Sequence, residues 1–310
     1  MNYQEKISAL VQNIEKIIVG KNEVIINTLI TLLAGGHVLI EDVPGVGKTT
    51  LANALAKSIN CPFTRIQFTP DTLPSDITGL SIYNMKTGSF EFTPGAIMSS
   101  IVLADEINRT SPKTQASLLE AMEERQVTVD GKTYALPKPF IVLATQNPVD
   151  YLGTFNLPEA QLDRFLMKIS IGYPSKLDEI KMVKNFLGNK GGVGLEAVLD
   201  GATICKMQEE VKKVVISDDL IRYIYEVVHQ TREHSAIQLG VSPRGTLALI
   251  RASQAKAYVS GRDYVIPDDI IKMIDPVLQH RLLLAPEATL QKLTPEKILG
   301  QIVGKIKIPV

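Results

Sequence analysis

The sequence predicts an α/β protein, with a doubly wound parallel sheet in residues 1–173 and a mainly helical second domain in residues 174–310. Three observations carry that expectation. Five short apolar runs, "HVLIE", "FTRIQF", "SIVLAD", "FIVLATQ" and "FLMKISI", read as strands buried on both faces. Helical segments such as "KTTLANALAKSI" and "KTQASLLEAMEER" fall between them, as crossovers between parallel strands require. Beyond Tyr173-Pro174 the strand-like runs largely stop and helical patterns take over.

Taken in order, Ile7, Leu10, Val11, Ile14, Ile17 and Ile18 recur at three- and four-residue steps, which predicts an amphipathic helix ending near Gly20. A second helix over about 22–34 stops at Gly35-Gly36. Residues 24–40 carry no formal charge, yet Gly35-Gly36-His37 divides them into a helix and a short strand. Neither piece approaches the roughly 20 residues that a bilayer span needs, so the run is expected to be core. Asp130-Gly131 between "VTV" and "TYAL" signals a hairpin turn. In the second domain the pattern predicts helices over 176–187, 203–213, 217–233, 243–259 and 267–283, with the glycine-rich stretch "GNKGGVG", 188–194, as a loop or hinge.

Composition narrows the function. Of 310 residues, 45% are hydrophobic and 21% charged, which excludes a disordered chain. Thirty-three basic and thirty-three acidic side chains cancel, so no overall field favours nucleic acid or an anionic membrane, and any polyanion must be held locally. Cys61 and Cys205 lack C-x-x-C spacing, which points to no zinc site and no disulfide framework and fits a reducing cytosol. Glu5 and Lys6 precede any apolar run, unlike a secretory signal, and a cytoplasmic protein without a membrane span is expected.

In open parallel sheets, ligands bind beyond the carboxyl ends of the strands. Three polar clusters fall at such ends. "HVLIE" runs into Pro44-Gly45-Val46-Gly47-Lys48-Thr49-Thr50, which matches the end of the phosphate-loop pattern G-x-x-x-x-G-K-[ST]. Gly45 and Gly47 allow backbone amides to turn toward phosphate oxygens, Lys48 offers a charge to β and γ phosphates, and the Thr49 hydroxyl can ligate Mg²⁺. "IVLAD" ends at Asp105-Glu106, where Asp105 can hold the metal's water shell and Glu106 can deprotonate an attacking water. "FIVLATQ" ends at Gln146-Asn147, and the Asn147 amide can position that water. Asp42 replaces the first glycine of the pattern. It tolerates a tight turn, but its carboxylate has to point away from phosphates of like charge.

These residues resemble the AAA+ ATPases of the P-loop class, and more narrowly the MoxR family within their helix-2-insert clade. "EDVPGVGKT" resembles its Walker A, "LADEINR" its Walker B and "ATQNP" its sensor 1, while "LPEAQLDRF" (157–165) and "VSPRGTLAL" (241–249) resemble its arginine-finger and sensor 2 segments. The likeness spans about Ile18 to Leu284 and implies an AAA+ core with a C-terminal helical lid. It implies that Arg164 is the finger that reaches the γ phosphate of a neighbouring subunit, and hence a ring, most simply a hexamer. It implies that Arg244 is sensor 2. Locally, Ser242 can cap a helix with Pro243 at its first position, so that Arg244 projects from the first turn. Val19-Gly20-Lys21 resembles the segment lining the adenine pocket, or is simply a helix stop. Segments 78–97 and 125–137 match the inserts of the clade and either contact client or pore or are structural hairpins. Arg109 and Arg125 are expected to be exposed and to pair with local carboxylates such as Glu123.

The expected function is therefore an ATPase, using ATP and Mg²⁺, that remodels or matures a protein client, with a von Willebrand factor A domain partner implied by the resemblance. A nucleotide-dependent scaffold with little turnover and a metal-chelatase-like motor subunit remain as alternatives. A DNA-directed motor is disfavoured, since the second hairpin offers only Lys132 beside Asp130 at its tip.

Overall fold

A computed structural model describes residues 3–147, 154–187 and 194–309 of the chain. Two helices, α1 (Tyr3–Glu15) and α2 (Asn22–Leu33), precede β1 (Val38–Glu41), α3 (Lys48–Ser58) and β2 (Phe63–Gln67). Next come α4 (Pro74–Thr78), a hairpin of β3 (Gly79–Asn84) and β4 (Ser89–Pro94), then β5 (Ile101–Asp105) and α5 (Pro112–Glu124). A second hairpin, β6 (Gln126–Val129) and β7 (Lys132–Ala135), leads to β8 (Ile141–Gln146), α6 (Glu159–Leu162) and β9 (Met167–Ile169). The remainder is α7 (Lys176–Leu187), α8 (Gly201–Val211), α9 (Asp218–Glu233), β10 (Ile237–Leu239), α10 (Pro243–Val259), α11 (Pro267–Leu278), β11 (Leu283–Leu284), α12 (Pro286–Leu290) and α13 (Pro295–Lys305).

The central sheet runs β2-β5-β8-β1-β9 with every pairing parallel. Successive strand residues point to opposite faces, and here both faces are covered. Val38, Ile40, Leu103, Leu143 and Met167 join one core with α1, α2, α3 and helices α8–α11, whereas Leu39, Val102, Ala104 and Val142 join a second core with Leu118, Leu119 and Met122 of α5. Burial on both sides explains why the inner strands read as unbroken apolar runs. The doubly wound α/β fold with a helical C-terminal lid is thus the observed architecture.

Several expectations need correction. The run "FTRIQF" is not buried on both faces, because β2 lies at the sheet edge, where Arg65 and Gln67 are exposed and Ile66 is buried. Helix α1 ends at Glu15, short of Gly20, and α11 at Leu278, short of 283, with a single-turn helix over Gln279–Arg281 and then β11 pairing with β10. Helix α8 begins at Gly201, earlier than 203, because Asp200 Oδ1 accepts the Thr203 N–H at 2.8 Å and caps it. The segment 24–40 is the core helix and strand that its glycines imply, and no described helix is long and apolar enough to cross a membrane. Asp130 (φ 48°) and Gly131 (φ 76°) form the turn expected of them, and Tyr134 of that hairpin stacks on Phe92 of the other at 3.8 Å between ring centroids. Most of the glycine-rich stretch 188–194 lies outside the described residues.

Candidate nucleotide site

The register of the sheet brings the polar strand ends to one edge. Gln67 pairs with Asp105, Ala104 with Ala144, Ile40 with Thr145 and Glu41 with Gln146, so the loops after β1, β5 and β8 emerge side by side. They enclose a cavity of about 440 Å³ bounded by Pro44, Gly45 and Gly47 through Thr50 on one side and by Arg65, Gln67, Asp105, Glu106 and Asn147 on the other. Gly45 (φ +86°) and Gly47 (φ +99°) hold backbone angles that side-chain-bearing residues rarely adopt, and a Cβ at either would meet only open space. The glycines are needed for the turn and not for clearance. Val46 instead packs against the core. The first turn of α3 starts at Lys48 and leaves its amides facing the cavity, a suitable environment for an anion.

Lys48 Nζ donates to the backbone carbonyl of Asp42 at 2.6 Å. Burial lowers the pKa of its ammonium, and the nearby carboxylates of Asp42, Asp105 and Glu106 oppose that shift. The Asp42 carboxylate points away from the loop interior, as like-charge repulsion requires. Its Oδ2 accepts the N–H groups of Ile171 (2.5 Å) and Gly172 (2.8 Å) and the Ser170 hydroxyl (3.1 Å), while Oδ1 accepts the N–H of Val43 (3.1 Å). The residue in place of the pattern's first glycine therefore ties the phosphate loop to the chain leaving β9.

On the opposite wall, Thr145 Oγ1 donates to Asp105 Oδ1 at 2.6 Å and accepts the Glu106 N–H at 2.8 Å. Glu106 sits in the left-handed region (φ 60°, ψ 50°), which swings its carboxylate out of the strand direction. Gln67 Nε2 donates to Glu106 Oε2 at 2.8 Å, and Arg109 Nε lies 3.2 Å from the same oxygen. Arg65 donates to Asp105 Oδ2 and to Gln67 Oε1, each through Nη2 at 2.7 Å. The sequence argument missed Arg65, Gln67 and Thr145. Arg65 and Gln67 had a signal, the polar residues two apart in β2, which mark the solvent side of an edge strand, whereas Thr145 lies buried in the inner strand β8. Asn147 is 9% exposed immediately after β8. Thr49 and Asp105 present hard oxygen donors to the same space, as Mg²⁺ prefers. Among the described residues there is no cluster of three or more acidic, histidine or cysteine ligands, so a cation here would share its coordination with phosphate and water.

Arg164, expected to act on the phosphate of a neighbouring subunit, and Arg244 lie elsewhere. They do not line this cavity but meet in another, of about 330 Å³, with Glu123, Arg125, Asp163, Arg251 and Arg281. The tertiary reason is the docking of α10. Ser242 caps it by accepting the Gly245 N–H at 3.1 Å, as the sequence suggests, but its hydroxyl also donates to Asp163 Oδ2 at 2.7 Å. Asp163 Oδ1 in turn accepts Arg281 Nε at 2.7 Å. The helix that carries Arg244 is thereby fastened beside the segment that carries Arg164. Arg244 pairs with Glu123, and Arg164 Nη1 donates to the Leu119 carbonyl at 2.8 Å. Arg125 is no solvent-facing arginine paired with Glu123: its guanidinium donates to the carbonyls of Phe140 and Gly35. Burial lowers the pKa of Arg125 and Arg244, with the charge of Arg251 adding to the effect, and pushes Arg281 down to about 10 against the opposing pull of Asp163.

Val19 and Gly20 do not border the phosphate cavity either. Val19 is buried, and at Gly20 (φ +71°) a Cβ would fall 2.2 Å from Asp178 Oδ2 at the start of α7. Lys21 Nζ donates to the Tyr173 carbonyl at 2.8 Å. This segment lies at the junction where the chain leaves the sheet for α7.

The parallel sheet, the phosphate loop and the acidic strand end together define an AAA+ P-loop ATPase fold. Residues 37–167 match the ATPase family associated with various cellular activities (AAA), and residues 229–302 match the AAA lid domain. The chain is 39% identical to the Chaperone MoxR1 of Mycobacterium tuberculosis, over 96% of this chain and 80% of the relative, and 54% identical to YeaC, an uncharacterised protein of Bacillus subtilis, over 100% and 98%. A crystal structure of a candidate ATPase from Cytophaga hutchinsonii superposes with a TM-score of 0.93 at 40% identity, covering 99% of this chain and 96% of that one. The chain belongs to the MoxR family of AAA+ ATPases.

Proposed function

We propose that this protein hydrolyses ATP at sites shared between the subunits of a ring, and uses the cycle for chaperone-like remodelling of a protein client. The observation that carries the reading is the separation of two complementary half-sites. One cavity holds Lys48, Thr49, Asp105, Glu106 and Asn147, and the other gathers Arg164 and Arg244. A phosphate bound in the first would meet neither Arg164 nor Arg244, since the arginine on that wall, Arg65, is held by Asp105 and Gln67, while the second has guanidinium groups and no phosphate loop. A ring in which the second cavity of each subunit caps the first of its neighbour completes both, and six subunits are expected from the family resemblance.

In this scheme the amides of the phosphate loop and Lys48 hold the polyphosphate, and Thr49 and Asp105 hold Mg²⁺, which would supply neutralisation of phosphate charge. Glu106 takes the proton of the attacking water and Asn147 fixes its direction. Arg164 and Arg244 act from the adjacent subunit. Val19 and Gly20, at the junction with α7, would meet the base. The nucleotide-binding core is assigned to residues 1–173 and the lid to 174–310, with Arg244 on the lid reporting the neighbour's phosphate. The resemblance to MoxR proteins supports a von Willebrand factor A domain partner and a cytoplasmic setting. Exposed Ile82, Tyr83, Met85 and Phe90 on the first hairpin offer a client apolar contact.

The test is phosphate release from ATP per subunit over a wide range of protein concentration, for the native chain and for Arg164→Ala. A rate that rises with concentration and collapses in the variant is expected. A substantial rate indifferent to both would overturn the shared site, and a native rate near zero at every concentration, with and without a von Willebrand factor A domain protein, would favour the scaffold reading.

A further inference from the structure

The arginine cavity contains more positive charge than the two residues just assigned require. Five guanidinium groups, those of Arg125, Arg164, Arg244, Arg251 and Arg281, face two carboxylates, Glu123 and Asp163, an excess of three positive charges. His37, on the same wall, does not change this balance, because burial holds its pKa down to about 3 and leaves the ring neutral. Both carboxylates are already committed: Glu123 pairs with Arg244, and the two oxygens of Asp163 are taken by Arg281 and by the Ser242 hydroxyl. Arg125 and Arg164 donate to backbone carbonyls. Arg251 differs from the rest. It is exposed, its Nε makes a long 3.4 Å contact with the Leu247 carbonyl of its own helix, and among the described residues its terminal nitrogens meet no acceptor.

The position of Arg251 is set by helix geometry. It follows Arg244 by seven residues, two turns of α10, so both project from one face, and Leu247 and Ala248 between them border the same cavity. Burial is the main cause of the lowered pKa values of Arg125, Arg244 and Arg281, and the like charge of Arg251 adds to each. An exposed guanidinium with free planar donors, held next to two others, suits an oxyanion brought from outside.

We propose that Arg251 is a third phosphate-contacting arginine, acting with Arg164 and Arg244 on the nucleotide polyphosphate held by the phosphate loop of the adjacent subunit. The inference rests on the shared-site reading and adds a residue that neither the motif pattern nor its spacing singles out. An acidic side chain of the neighbour is the other anion that could meet Arg251, and it predicts loss of assembly in place of loss of turnover.

The experiment uses the full chain, with phosphate release and ring assembly, the latter by sedimentation with a slowly hydrolysed ATP analogue, measured for Arg251→Ala, Arg251→Lys and Arg164→Ala. Arg251→Ala should assemble normally, raise KM for ATP and lower the rate about 10-fold or more, as loss of a charge-assisted hydrogen bond implies. Arg251→Lys should recover part of the loss. Each alanine variant is then mixed with Glu106→Gln subunits, which cannot turn over but still offer their arginines, and activity should return in both mixtures. Native-like kinetics for Arg251→Ala, failure of its assembly, or rescue of Arg164→Ala but not of Arg251→Ala would overturn the role of Arg251 alone. Rescue of neither variant would overturn the shared site and this inference with it.

Discussion

The guanidinium of Arg65 lies on the carboxylate of Asp105, with Nη2 at 2.7 Å and Nε at 3.2 Å from Oδ2. Asp105 borders the cavity in which the metal is proposed to sit, so Arg65 would compete there with a divalent cation. Arg65→Met should therefore lower the Mg²⁺ concentration for half-saturation of ATP binding, by no more than about 5-fold, since Arg65 is 47% exposed and such pairs are weak. A fluorescent-nucleotide titration against Mg²⁺ measures it. An increased Mg²⁺ requirement would show that Arg65 supports the site instead.

Lys48 and Glu106 face one another across the cavity in different roles, so their substitutions should separate. Lys48→Ala should lose nucleotide binding by at least about 10-fold, because a charge-assisted contact to phosphate disappears. Glu106→Gln keeps the shape and the donors around it, and should bind ATP while hydrolysis falls by about 100-fold or more. Equilibrium binding and single-turnover hydrolysis distinguish the two. Normal turnover in Glu106→Gln would refute its assignment as the base.

Asp42 accepts two N–H groups and one hydroxyl from residues 170–172 through a single oxygen. Asp42→Ala leaves those donors without their partner and should destabilise the fold by about 1–3 kcal/mol, while leaving nucleotide affinity within a few-fold of native. Denaturant unfolding and binding on the same sample would check both halves. Unchanged stability would mean that the tie is replaced by water.

Acid should weaken the fold through His37. Its Nδ1 accepts the Val142 N–H at 3.0 Å and its Nε2 donates to the Met122 carbonyl at 3.1 Å, so only the neutral ring fits. Its pKa is lowered to about 3 by burial, with Arg125 adding to the effect, whereas in the unfolded chain it is near the ordinary 6.5. Between these values the unfolded state binds the extra proton, so stability falls as pH drops from 6.5 toward 3, by up to about 1.4 kcal/mol per pH unit. Buried His280 shifts in the same direction. Thermal unfolding from pH 7.5 to 5 should show the decline, and His37→Gln should make it shallower. An identical slope in the variant would assign the acid sensitivity to other groups.

Much of the site was legible because its chemistry follows strand ends. Once "HVLIE", "SIVLAD" and "FIVLATQ" are read as parallel strands, Lys48, Asp105 and Asn147 must emerge on one edge, and the register confirms that they do. Arg65 and Gln67 escaped because order along the chain does not say which strand is the sheet's edge, and an edge strand keeps a polar face. Arg125 was misjudged for a related reason. Local sequence offers Glu123 as its partner, but the packing of α5 turns it to the carbonyls of Gly35 and Phe140.

The sequence by itself determined what repeats over short distances: strand and helix periodicity, the glycines of the phosphate loop, the Ser242 cap, the Asp130-Gly131 turn and the direction of the Asp42 carboxylate, which charge repulsion alone dictates. The tertiary structure decided what depends on how distant segments dock. Asp163 fastens α10 through Ser242 and holds Arg281, and this contact between residues about 80 and 118 positions apart places Arg244 beside Arg164 and away from the chain's own phosphate loop. Local propensities act over a few residues, whereas such a placement is a balance of packing and hydrogen bonding across the whole fold, which no short stretch of sequence encodes.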